Sequence, residues 1–175
     1  MSILMVLLIA ATAAFAEGTF SGMPWGSSPT QLIAEEGYDY VNDQTGLGGS
    51  RQITYLRSVL RVTAANVFVF KNNELTSGIM MWNVGLHGKP DVDTLVFALN
   101  NKYTELTTED ELNNTVDVES VMNPYKDDTL LDYGVWLDGE DTLIIFGETT
   151  EAVLLIYYDF DNVRLEGGDT EDSAL

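Results

Sequence analysis

Between residues 52 and 62 the chain alternates without interruption: Ile53, Tyr55, Arg57, Val59 and Arg61 fall on one side, and Thr54, Leu56, Ser58, Leu60 and Val62 on the other. A period of two would scatter its apolar side chains around a helix, so the segment predicts a strand with one apolar side. Val67-Phe68-Val69-Phe70 predicts a second strand. Lys71-Asn72-Asn73-Glu74 predicts the hairpin turn that follows, because asparagine tolerates the positive φ that tight hairpins need. A third strand then runs over residues 75–84, which makes the first half of the chain a three-stranded meander.

A short helix precedes this meander. In Ser28-Pro29-Thr30-Gln31 the Ser28 hydroxyl can accept from the amide of Gln31 while Gln31 reaches back, and proline suits the first helical position. The helix presents Leu32 and Ile33 to the core and stops at Gly37, and residues 42–50, rich in Asn, Asp and Gly, read as a loop. The same order returns later. Val92, Leu95, Val96, Leu99 and Tyr103 share one helical stripe over residues 91–103, with acids in the first turn and Lys102 in the last. Strands are expected at 115–121, 133–137, 142–146 and 152–160, with turns at 138–141 and 147–150. Helix then antiparallel strands, twice over, predicts an α+β fold: two halves that form one two-layer domain with the helices on one face of the sheet.

The first 16 residues carry an apolar run from Ile3 to Ile9 and end in Ala14-Phe15-Ala16, which reads as a secretory signal peptide. The expected organisation is signal peptide 1–16, a single domain at 17–165 and an acidic, disordered tail at 166–175. Export to the periplasm or the extracellular space follows, with no membrane attachment after cleavage. There is no cysteine, hence no disulfide, no thiol nucleophile and no lipid-bearing N-terminal thiol. Eight Lys and Arg against 28 Asp and Glu give a formal charge of −20. Nucleic acid is excluded as a partner, because such binding rests on cations that displace phosphate counterions. A solvated acidic surface, weak calcium binding and capture of a basic partner all fit that charge.

Phe20, Gly22, Trp25, Gly26 and Ser28 form an F-x-G-x-x-W-G-x-S pattern, and Leu99, Lys102 and Tyr103 form a later L-x-x-K-Y. Together they resemble a loose set of exported bacterial domains of unknown function, although Thr104 stands where that pattern has glycine. The order of elements is also similar to the tandem fold of beta-lactamase inhibitor proteins and of small outer-membrane assembly lipoproteins. The resemblance implies no catalytic residues, and it implies that Trp25 is a core residue pinning the start of the first helix.

Candidate chemistry is sparse. His87 is the only histidine and sits in a Gly-rich loop, without an evident orienting acid or nucleophile. Carboxylates cluster at Asp127-Asp128, Asp138-Gly139-Glu140-Asp141 and Asp159-Phe160-Asp161-Asn162, but no EF-hand calcium loop is complete. Ser27 and Ser28 lack a nucleophile elbow, and Gly46-Leu47-Gly48-Gly49-Ser50 lacks the lysine of a phosphate loop. Aromatics on a sheet face are more often core than binding platforms, and Trp82, Trp136 and Tyr157 become the candidate interaction surface only if the second face of the sheet lies open. The reading is a non-catalytic binding module of the bacterial envelope, with no cofactor or metal and with another envelope or secreted protein as partner. The alternatives are a carboxylate-dependent hydrolase and a weak calcium-binding protein.

Overall fold

The computed structural model describes residues 19–106 and 130–160. The expected signal peptide, acidic tail and strand at 115–121 lie outside them, as do Asp127, Asp128, Asp161 and Asn162.

The chain opens with a small hairpin, β1 (Thr19–Phe20) and β2 (Met23–Pro24), followed by helix α1 (Pro29–Glu36). The capping box at Ser28 is formed in both directions, Ser28 Oγ accepting from the Gln31 amide and Gln31 Oε1 accepting from the Ser28 amide. Gly37 ends the helix at φ 79°. Next come β3 (Asn42–Thr45), β4 (Arg51–Val59), β5 (Val62–Lys71) and β6 (Glu74–Asn83). The one-turn helix α2 (Val84–His87) and helix α3 (Val92–Lys102) lead to β7 (Thr104–Glu105), β8 (Leu130–Asp138), β9 (Thr142–Thr149) and β10 (Ala152–Asp159).

Among the described residues, all strands from β3 onward join one antiparallel sheet in the order β3-β4-β5-β6-β10-β9-β8-β7. This overturns the expected α+β class. The described chain is mostly β, an eight-stranded sheet and a two-stranded hairpin, with helices of only 8, 4 and 11 residues. Such short helices cannot form a layer of their own. Among them they bury Pro29, Leu32, Leu95 and Leu99, far less than an eight-stranded face requires.

Two local differences enlarge the sheet. Residues 52–62 are not one strand, because Leu60 and Arg61 both take positive φ (52° and 65°) and turn the chain back on itself. That two-residue geometry matches the right-handed twist of the flanking strands, which is why it closes the β4–β5 hairpin. Residues 42–45 are not loop. Gly48 and Gly49, at φ 67° and 79°, reverse the chain so that Asn42 to Thr45 pair with Thr54 to Arg51.

One core cluster lies on the face that receives α1 and α3, and joins Phe20, Leu32, Ile53, Phe68, Leu95 and Leu99 with the sheet's large aromatics. A second, built from Val135, Leu143, Ile145, Leu154, Ile156 and Phe160, lies on the opposite face of β8–β10. The alternation of β9 divides its residues between the two, and all eight of them are buried.

Candidate functional site

The opening pattern is a strap across the seam of the sheet. Phe68 of β5, Gly78 of β6 and Tyr157 of β10 stand in one cross-strand row, and the Phe20 ring fills the space over the glycine. A Cβ at Gly78 would fall 2.1 Å from Phe20 Cγ. The Phe20 ring meets Phe68 edge-on at 4.9 Å and Tyr157 at 5.4 Å. The Gly26 amide donates to the Leu75 carbonyl (3.0 Å), and the Leu75 amide donates to the Ser27 carbonyl (2.8 Å). Trp25 is half-buried against the main core, and its indole N–H donates to Thr142 Oγ on β9 at 2.8 Å. Gly22 and Gly26, at φ 89° and 77°, let the strap turn twice within its short span. These contacts tie β5–β6 to β9–β10, so the pattern has a structural task.

Beside the strap lies an open cavity of about 300 Å³, lined by Met23, Pro24, Ser27, Gln31 and Glu35 among others. Gln31 is committed to the helix cap, and the lining brings no histidine or lysine to Ser27, only the Glu35 carboxylate. His87 is exposed at the end of α2. Among the described residues no group of three or more His, Asp or Glu side chains could hold a metal ion.

The three aromatics singled out as an interaction surface are core residues: Trp82 is 0%, Trp136 1% and Tyr157 2% exposed. Period-two patterning assigned them to a face, and it is the covered one. Trp136 donates its indole N–H to Asn100 Oδ1 at 2.7 Å, which ties β8 to α3.

Tyr157 belongs to a buried polar corner with Tyr103 and Asp138. Burial raises the Tyr103 phenol, and the Asp138 carboxylate raises it further. Burial raises Tyr157 well above the ordinary phenol range, with Tyr103 and Asp138 adding to the effect. Lys102 Nζ donates to Tyr103 Oη at 3.1 Å, whereas the Tyr157 hydroxyl is buried without a hydrogen-bond partner. Both phenols therefore stay neutral across the physiological range. They are unsuited to proton transfer there, which needs a pKa near the working pH.

What does face outward is the second side of β3–β6. The cross-strand rows Leu56–Ala65–Met81–Leu154 and Thr54–Val67–Ile79–Ile156 run from β4 to β10. Leu154 and Ile156 are buried, Met81, Ile79, Val67, Ala65 and Thr54 are half-buried, and Leu56 is 49% exposed. This side comprises positions 42 and 44 of β3, even positions 52–58 of β4, odd positions 63–69 of β5 and odd positions 77–83 of β6. None of these residues is charged.

The charge lies elsewhere. Residues 103–175 hold twenty of the 28 acidic residues and only Lys126 and Arg164 of the eight basic ones. Residues 130–160, which form β8–β10, carry seven acids and no base. Arg51 pairs with Asp43 at 2.7 Å and Arg57 with Glu36 within the first half, while Lys89 reaches Glu148 on β9. The Arg51 hydrogen bond holds the Asp43 carboxyl below its usual range. Sequence reasoning named the aromatics and missed this neutral face, although every second residue of 52–58 already lacked a charge.

The chain matches no protein family, and no similar curated protein or solved structure was found.

Proposed function

We propose that this is an exported, non-catalytic binding module that acts in the periplasm or outside the cell, and that its contact surface is the outward side of β3–β6. One observation carries the reading: a half-exposed, uncharged side of four paired strands, on a chain whose formal charge is −20. Acidic side chains are the cheapest way to keep a sheet face soluble and unpaired, and this chain has them in abundance. Leaving them out of one side, while Leu56, Val67, Ile79 and Met81 stay within reach of solvent, marks that side for a partner. The signal-like residues 1–16 support export, and the missing cysteines cost the fold nothing, since both core clusters close without them. Among the described residues no helix is long and apolar enough to cross a membrane.

The natural lack of cysteine allows a clean test. Leu56→Cys and, as a control, Asp93→Cys on exposed α3 are each loaded with a thiol-linked photocrosslinker and irradiated with the envelope and secreted fractions of the producing cell. The reading predicts a discrete protein adduct from position 56 and none from position 93. Equal adducts from both positions, or none from 56, would end it.

A further inference from the structure

We propose that the partner on this side is a second copy of the chain, packed sheet on sheet about a two-fold axis; the inference rests on the reading of β3–β6 as a contact surface. In a two-fold interface the same patch meets itself, so a charged residue near the axis faces its own copy. Neutrality is therefore the condition for self-association. A basic partner would select the opposite, acids on the contact surface, and those stand on β8–β10 instead.

The shape fits as well. Thr54, Ala65 and Val67 are small or β-branched and stand in adjacent rows, which leaves an even surface of the kind that packs on another sheet about 10 Å away. The strands lie ~4.8 Å apart and like-facing residues ~7 Å apart along each strand, so the surface measures on the order of 400 Å² per copy. That is about half of the ~800 Å² per partner found in standard interfaces, which makes this a weak, concentration-dependent dimer. Both copies are strongly acidic, so their long-range repulsion opposes the contact and salt relieves it, the screening length falling from ~30 Å at 0.01 M to ~10 Å at 0.1 M.

Sedimentation velocity of the mature protein, from about 10 µM to about 1 mM and at low and high sodium chloride, tests the proposal over the range where so small an interface dissociates. The expected result is a mass that climbs toward twice the monomer with concentration, at lower concentrations in high salt. Leu56→Asp, at a position exposed enough to hydrate a charge, should shift the midpoint at least ~10-fold upward, with an unchanged circular dichroism spectrum and with Asp93→Asn as a silent control. A monomer under all conditions, or a dimer indifferent to Leu56→Asp, overturns the proposal. If the protein stays monomeric while Leu56→Cys crosslinks a different protein, the second copy is refuted and the contact surface survives. If it crosslinks nothing, both fall.

Discussion

The Tyr157 hydroxyl shows how a single atom can work against the fold. It is buried, it has no hydrogen-bond partner, and the neighbouring Asp138 carboxylate disfavours its ionisation. A buried hydroxyl without a partner gives up its hydration and gains nothing in return. Tyr157→Phe keeps the ring against Phe20 and removes the cost, so chemical denaturation should show a gain of about 1 kcal/mol. The pH dependence has a definite sign. Tyr103 and Tyr157 have folded-state pKa values raised above the unfolded value, so their titration leaves stability unchanged below about pH 10 and lowers it as pH rises further. Alkaline unfolding, followed by phenolate absorbance, should therefore begin above about pH 10 and be shallower in Tyr157→Phe. Asn66 is a parallel case on β5, fully buried with both amide atoms unpartnered, and its presence at the centre of a strand has no explanation in the contacts around it.

At the scale of elements, residues that restrict the backbone were the ones legible in advance. Asn72 and Asn73 take φ of 51° and 71° in the β5–β6 turn, where their sequence placed them. The Ser28 cap and the α3 stripe, with Asp91 accepting from the Thr94 amide, follow from side-chain chemistry in the same direct way. The β4–β5 turn was not legible, because Leu60 and Arg61 carry no turn signature and continue the alternation on either side. Their left-handed backbone is imposed by the pairing of β4 with β5, at roughly 1 kcal/mol or more for each residue. Arg61 is exposed, so Arg61→Gly should relieve its share and raise stability by about 0.5 kcal/mol after glycine's own entropic cost, as read from a urea midpoint shift. β3 escaped notice for a different reason. All four of its residues are polar and exposed, which is how an edge strand avoids pairing with strangers and also why it resembles a loop.

For the whole molecule, the deciding quantity is how the two sides of one sheet are covered. Alternation alone assigns residues to sides and leaves open which side is buried, so Trp82, Trp136 and Tyr157 fit both a core and, on an open face, a recognition surface; they are core. The repeated order of helix then strands points to an α+β class, yet the two helices, formed where expected, are too short to make a layer. α1 and α3 cap part of one side, while the strap of residues 19–28 completes the seam where β6 meets β10. The second side is buried over β8–β10 and open over β3–β6. Residues 130–160, on strands covered on both sides, carry seven acids and no base, and the open side of β3–β6 is uncharged. That step from covered to open along a single row decides where a partner can dock, and native-state thiol labelling measures it directly. Single cysteines at Leu56, Ala65, Met81 and Leu154, on β4, β5, β6 and β10 of one row, are labelled in dilute solution where any self-association is absent. Labelling should be fast at position 56, slower at 65 and 81, and negligible at 154 until the protein unfolds. Protection as complete at 56 and 65 as at 154 would contradict that step from covered to open.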